Sequence, residues 1–290
     1  MTIVVLADIH ANYAALEAAV HRITVLSPDA IILLGDYITD CPDPRRTLNL
    51  LYALKKQYAV YMVRGNREEY LLNHRKALAE NRDDGWSSGS GTGALLYTYH
   101  ALTSEDLDFL ASLPVSLDIS LPGCPLITAC HGSPFKAKDW LIGNDEKIRT
   151  AMKYASGDLI LCGHAHRMMR YDRNGKSLLI CPSLGLPQDR NNTGNMSVLR
   201  WNGRRWLRDP SQICTRVNYD MAGFIREFEA SDLYAEAPIW SKCVIRALTD
   251  GEDYPAKCAT LAYQLARKDG IRAVPPERYW IESARALGIE

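Results

Sequence analysis

This 290-residue chain is predicted to fold as an α/β protein. Two observations carry the prediction. Five short apolar runs, Thr2–Ala7, Ala30–Leu34, Tyr58–Val63, Leu126–Cys130 and 158–162, are separated by stretches with helical spacing. Each run then stops at a charged residue, a histidine or a glycine. Apolar runs of this length read as strands of a sheet covered on both faces. In such sheets ligands bind in the crevice beyond the carboxyl ends of the strands. The residues that close the five runs are therefore expected on one rim.

The elements follow in order. After the first run, Ala14 to Ile23 carries Leu16, Ala19, Val20 and Ile23 on one helical face. Pro44 to Lys56 is a second helix, with Leu48, Leu51, Tyr52 and Lys55 at helical spacing and Asp43 ahead of Pro44 as its cap. Glu68 to Glu80 is a third. The stretch from Asn81 to Gly93 is rich in Gly and Ser around Trp86, which predicts a mobile surface loop. Its alternative is a substrate lid with Trp86 stacking on a ring. Ser104-Glu105-Asp106-Leu107 opens a helix that ends near Pro114. Lys176–Cys181, Met196–Trp201 and Arg205–Arg208 read as strands of a second sheet, with Asn202-Gly203 as a hairpin turn. Past Gln212 the pattern becomes helical, over Tyr219–Ala230, Ile239–Leu248, Pro255–Lys268 and Pro276–Leu287. Tyr254, Cys258, Leu261, Ala262 and Leu265 form an apolar stripe there. The chain thus divides into a core, 1–212, and a helical C-terminal extension, 213–290. The extension is expected to pack on the core or on itself. The alternative is that it shapes a substrate pocket or a homodimer contact.

The rim collects Asp8, His10, Asp36, Asn66, His131, His164 and His166. Oxygen and imidazole donors together suit divalent metals. In a strand, residues i and i+2 share a face, so Asp8 and His10 can reach one ion while Ile9 enters the core, and His164 and His166 repeat the pattern. Glycine precedes Asp36, Asn66 and His164, permitting sharp turns. Seven donors exceed the needs of one four-coordinate ion. An aspartate can bridge two ions about 3.5–4 Å apart. His21 and His74 are expected on helix surfaces, and His100 within reach of the site.

Asp8-Ile9-His10, Gly35-Asp36, Gly65-Asn66, His131-Gly132 and Gly163-His164-Ala165-His166, in this order, resemble the signature of the calcineurin-like metallophosphoesterases, in particular their small bacterial branch, over residues 1–200. The resemblance implies a four-layer α-β-β-α sandwich of two mixed sheets. It implies two divalent ions, with manganese, iron, zinc and nickel all tolerated by such ligands. One would be held by Asp8, His10, Asp36 and His166, the other by Asp36, Asn66, His131 and His164, with Asp36 and a water or hydroxide as bridges. It further implies hydrolysis of a phosphomonoester or phosphodiester by that hydroxide, and a position near the metals for Pro182-Ser183-Leu184-Gly185. Many relatives carry His after the Gly-Asn pair; here Arg67 stands there. Arginine stays protonated, so it is a poor proton donor but a good two-pronged phosphate ligand. Its alternative is a salt bridge with a nearby Glu.

Lys plus Arg equals Asp plus Glu at 34 each, which disfavours a nuclease acting on a nucleic-acid polymer. The substrate expected is a small phosphorylated compound, possibly a nucleotide. A non-catalytic scaffold on the same fold is the second function class; it is expected to show degraded ligands, and all seven are intact. Eight cysteines without a Cys-x-x-Cys pair, two of them inside apolar runs, read as reduced core thiols of a cytoplasmic protein. The amino-terminal run breaks at Asp8, too early for a signal peptide or a membrane span.

Overall fold

The computed structural model describes residues 1–206 and 213–289. The five apolar runs form β1 (Thr2–Leu6), β2 (Ala30–Leu33), β3 (Val60–Met62), β5 (Ile127–Cys130) and β6 (Leu159–Cys162). They divide between two mixed sheets. In the first, β1, β2 and β3 are parallel, and β9 (Gly194–Arg200) and β10 (Cys214–Val217) add antiparallel pairs, giving the order β10-β9-β1-β2-β3. In the second, β4 (Ser116–Ile119), β8 (Lys176–Ile180) and β7 (Met169–Arg173) join in the order β4-β5-β6-β8-β7, with β5, β6 and β8 parallel.

The unbroken apolar runs have a direct cause. Successive side chains leave opposite faces of a strand, and here both faces are covered. Ile3, Val5, Ile32 and Leu34 point between the sheets and meet Ile127, Ala129, Leu159, Leu161 and Leu179 of the second sheet. Val4, Leu6, Ile31 and Leu33 point outward, against Leu16 and Ile23 of α1 (Tyr13–Leu26) and Leu48 and Leu51 of α2 (Pro44–Gln57). Outside the second sheet, Cys130, Ile160, Cys162 and Leu178 pack against Ile148 and Met152 of α6 (Asp145–Tyr154). This is the helix–sheet–sheet–helix order that the motif resemblance implied. Truncating any of these interior leucines, isoleucines or methionines to alanine costs about 2–5 kcal/mol.

Several expectations need correction. Met196–Trp201 was expected in the second sheet, but β9 pairs with β1 in the first; apolar pattern fixes a strand's faces and not its neighbour. The region from 213 onward is not wholly helical, because β10 closes the edge of the first sheet. The strand expected over Arg205–Arg208 extends outside the described residues; Trp206 forms a bridge to Trp201 across the Asn202-Gly203 turn. Asp43 precedes α2 without a side-chain capping bond and instead meets Arg46 at 3.3 Å. The third helix, α3 (Asn66–Ala79), starts two residues earlier than its apolar pattern suggests. Next come α4 (Gly93–Ala101), which sequence reasoning missed, and α5 (Ser104–Ser112), whose capping box joins Thr103 and Asp106.

The Gly/Ser stretch before α4 is pinned rather than free. Ser90 donates to Glu277 Oε1 at 2.6 Å and accepts from the Ile239 amide at 2.9 Å. Trp86 stacks on His74 at 4.1 Å, which is buried and tied to Asp84 at 2.8 Å, not on a helix surface. The C-terminal helices are α7 (Met221–Glu229), α8 (Asp232–Glu236), α9 (Pro238–Asp250), α10 (Tyr254–Lys268) and α11 (Glu277–Ala286). Phe224, Phe228, Leu233, Val244 and Leu248 pack on Ala11, Cys41, Ala94 and Leu186 of the core. Farther out, Cys258, Ala262 and Ala266 of α10 pack on Tyr279, Trp280 and Ala284 of α11.

Candidate metal centre

All seven donors predicted from the sequence converge where the loops after β1, β2, β3, β5 and β6 meet. The loops are zipped together by backbone bonds. The amides of Asp8, His10 and Ala11 donate to the carbonyls of Gly35, Asp36 and Tyr37 at 3.2, 2.9 and 2.9 Å. Gly163 donates to the His131 carbonyl at 2.8 Å, so the two sheets deliver their donors to one place.

The local geometry is not that of strand ends. β1 stops at Leu6, and Asp8, His10, Asp36, His164 and His166 have φ of 53°, 51°, 52°, 68° and 54°. The i, i+2 alternation argument therefore does not account for the pairing of Asp8 with His10; left-handed turns do. Each such residue costs about 1–2 kcal/mol, although Asp and His tolerate it better than most. Five at one site mark strain held in place by its surroundings. The glycines act differently from one another. Gly35 is left-handed, with φ 89°. Gly65 has φ −93°, open to any residue, yet a Cβ there would lie 2.2 Å from Asp36 Oδ1. Gly65 is required for close approach, not for conformation.

The donor atoms form two groups, Asp8 with His10 and His166, and Asp36 with His131 and His164; within each, the donors lie within 4.8 Å of one another. The groups adjoin: His131 Nε2 is 3.3 Å from Asp36 Oδ2 and 3.9 Å from Asp8 Oδ1, His10 Nε2 is 3.8 Å from Asp36 Oδ2, and Asn66 Oδ1 is 3.0 Å from His131 Nε2. Three imidazoles have their other nitrogen committed. Nδ1 of His131 donates to the Leu34 carbonyl at 2.7 Å, Nδ1 of His166 to the Leu186 carbonyl at 2.5 Å, and Nδ1 of His10 faces Asp40 Oδ2 at 2.7 Å. Carbonyls only accept, so the Nδ1 atoms of His131 and His166 carry a proton, and Nε2 is the atom each ring has left to offer a metal once deprotonated. His10 and His166 then present their Nε2 atoms to each other at 3.1 Å. At that distance the pair can share a proton or, with both lone pairs free, ligate one cation.

Charge is balanced within the cluster: burial would lower His131 and His10, but Asp36 pushes His131 up to about 10 and Asp40 raises His10, so a cation bound here would take the place of imidazolium charge. Burial pushes the Asp8 carboxyl up to about 6 against the pull of His131. Burial would raise Asp36 too, but His131 beside it holds it below the usual carboxylate range. Burial, then the neighbouring His131, takes His164 down to about 4. Burial, then His10, lowers His166. Acids and bases crowded into one dry volume reach mutual balance most simply around positive charge.

Arg67, on the first turn of α3, meets Asp40 through Nε at 3.1 Å; the Glu partner expected from the sequence is elsewhere. Glu68 is fully buried and accepts from the amides of Asp36, Tyr37 and Gly65 at 2.9, 2.8 and 2.8 Å, bracing the loop that carries Asp36. Burial, then Asp36, pushes its carboxyl up to about 7. Sequence reading missed Glu68, Asp40, Trp140 and Trp240; no local spacing singles them out. The cleft, ≈ 180 Å³, is lined by His10, Asp36, Asn66, Arg67, His164 and His166 of the predicted set, with Trp140, Gln188, Trp240 and Asp253 among the rest. Asp8 and His131 lie behind it, fully buried. The segment 182–185 lies beside it, Ser183 donating to the Asp8 carbonyl at 2.7 Å. His100 is exposed and does not line it.

Comparison with known proteins bears on this geometry. The family model described as calcineurin-like phosphoesterase matches residues 1–168. A metallophosphoesterase from Sphaerobacter thermophilus superposes with a TM-score of 0.65 at 22% identity, covering 87% of this chain and 100% of that one. A hypothetical protein from Pyrococcus horikoshii superposes with a TM-score of 0.70 at 20% identity, covering 86% and 98%. An uncharacterized protein of Methanocaldococcus jannaschii is 27% identical over 188 residues, 65% of this chain and 72% of its own length.

Proposed function

The chain belongs to the calcineurin-like phosphoesterases, and from that premise we propose that it hydrolyses a small phosphomonoester or phosphodiester in this cleft with two divalent ions. The observation that carries the reading is the convergence of His10, His131 and His166 through Nε2, each with Nδ1 already engaged, around Asp8 and Asp36. Histidines held this way are prepared for metal, because the partner at Nδ1 fixes both tautomer and ring orientation. Asp8, His10 and His166 form one ligand group, and Asp36, His131, His164 and Asn66 the other. Asp36 would bridge the two ions, since Oδ2 faces both His10 and His131. Nitrogen and carboxylate donors suit manganese, iron, zinc and nickel.

When bound, such ions supply an acidified water and neutralise phosphoryl charge. The chain's own residues do the rest. Glu68 keeps the Asp36 loop from relaxing. Arg67 has guanidinium N–H groups besides the Nε that meets Asp40, and offers them to phosphoryl oxygens as a fixed positive fork. It does not deliver the proton to the leaving oxygen, because burial notwithstanding, Asp40 and Asp36 raise its pKa further. The leaving group is therefore a good one, or takes its proton from solvent. A cleft of this size admits a phosphoryl group with a small organic residue; a substrate as large as a nucleotide would extend past its mouth. No helix among the described residues is long and apolar enough to cross a membrane. All eight cysteines are free thiols, which supports a reducing, cytoplasmic setting.

The test is hydrolysis of an activated aryl phosphate by chelator-stripped protein, with each metal added back, alongside His131→Ala. Stripping or the substitution should abolish turnover while the unfolding transition persists. Undiminished hydrolysis after both would assign the activity elsewhere.

A further inference from the structure

We propose that Trp240, in the C-terminal helices beyond the family match, is a positioning residue for Arg67 and His10, acting through Asp40. Asp40 is buried and takes hydrogen bonds on both oxygens. Oδ2 faces His10 Nδ1 at 2.7 Å, Thr39 Oγ1 at 2.9 Å and Arg67 Nε at 3.1 Å. Oδ1 has one donor among the described residues, the Trp240 indole N–H at 2.9 Å. A carboxylate held at one oxygen can turn about its last bond; held at both, it cannot. The indole thus fixes the plane in which Asp40 meets both His10 and Arg67. The Trp240 ring also lies 5.8 Å from the Arg67 guanidinium carbon, within reach of a cation–π attraction that holds the fork over the cleft.

Trp240 is itself held. Its amide and that of Ile239 donate to Ser90 Oγ at 3.4 and 2.9 Å, and Ser90 is clamped by Glu277 of α11 through its hydroxyl and its amide. The ring meets Trp280 edge-on at 6.2 Å. The Gly/Ser stretch, which sequence reading took for a loop or lid, is thereby the anchor for the turn of α9 that carries Trp240. The first 168 residues contain every proposed metal ligand, yet the carboxylate orienting one ligand and the phosphate-facing arginine is completed from residue 240.

The test is product inhibition by inorganic phosphate, measured with saturating manganese, in which the share of Arg67 is read by difference against Arg67→Ala. Trp240→Phe keeps a ring and removes the donor. The phosphate inhibition constant should rise by about tenfold, while the protein stays folded with a midpoint lowered by no more than one lost hydrogen bond accounts for. Replacing Trp240 by 3-benzothienylalanine, which has the same shape and no N–H, should do the same and serves if the phenylalanine variant folds poorly. The diagnostic result is coupling: in an Arg67→Ala background, either replacement should move the phosphate constant far less than it does beside Arg67, and the His10 branch is read separately as manganese retained after dialysis, by elemental analysis. If the effects of Trp240 and Arg67 multiply independently, Trp240 is a packing residue only. If the donor-less variants bind phosphate like wild type, the proposal is overturned. Loss of hydrolysis by the unaltered protein would instead sink the phosphoesterase reading.

Discussion

Gly65→Ala isolates how tightly the Asp36 loop is built. The backbone at 65, with φ −93° and ψ 180°, accepts alanine without strain. Space does not: the new Cβ would sit 2.2 Å from Asp36 Oδ1, 2.3 Å from the Asp36 amide nitrogen and 2.9 Å from Glu68 Oε2. Reaching even 3.0 Å requires Asp36 to retreat by about 0.8 Å. Two of the three neighbours are rigid, one being backbone and the other the buried carboxylate proposed to bridge the ions. Overpacking of this kind costs about 1–3 kcal/mol. In a chain of this size that lowers the unfolding midpoint by roughly 2–10 °C. Misplacement of a catalytic group by about 1 Å costs on the order of 100-fold in rate. The assay is kcat/KM for an aryl phosphate with saturating manganese, beside thermal unfolding. Gly203→Ala is the matched control, since that glycine has φ 90° and open space around it; it should lose about 1 kcal/mol of stability and no activity. A Gly65→Ala protein with wild-type turnover and stability would refute the argument that close approach at this site positions Asp36.

The other outcomes are as follows. Asp36→Asn should lower bound metal from about two ions per chain at both positions, read by elemental analysis after dialysis; retention of both ions would remove it as the bridge. Arg67→Lys should reduce kcat/KM by losing the two-pronged grip, and Arg67→His should selectively improve poor leaving groups, checked on a leaving-group series. Asp106→Asn should cost about 1–2 kcal/mol at neutral pH, because the carboxylate caps Thr103 and binds Tyr52 and Arg45. Burial would raise the Asp106 pKa, but the Thr103 amide and the Tyr52 and Thr103 hydroxyls lower it. Its contribution is therefore full above about pH 4 and is lost as pH falls through the folded value, so wild type and variant should converge in acid. A stability gap that stays constant down to pH 2 would contradict that assignment.

The sequence by itself determined seven of the ten strands among the described residues, their succession along the chain and the donors that follow five of them. Each of the five runs is apolar because both faces of its strand are buried, and each donor follows its run within a few residues, so chain order alone places it. Sequence also determined which helices flank the sheets, since α1 and α2 show one apolar face. Only the tertiary structure decided the rest. β9 could be known as a strand but not as the neighbour of β1, because pairing depends on partners distant in the chain. His74 sits in a helix that carries little apolar pattern, and its burial comes from Trp86 and Asp84. The left-handed turns at Asp8, His10, Asp36, His164 and His166 have no local signature, because the surrounding loops impose them. Asp40 and Trp240 are 200 residues apart in the sequence and 2.9 Å apart in space. A polar contact of that kind has no periodicity to announce it; it exists because α7 to α9 bury their apolar face against Ala11, Cys41 and Leu186 and thereby carry an indole to the edge of the cleft.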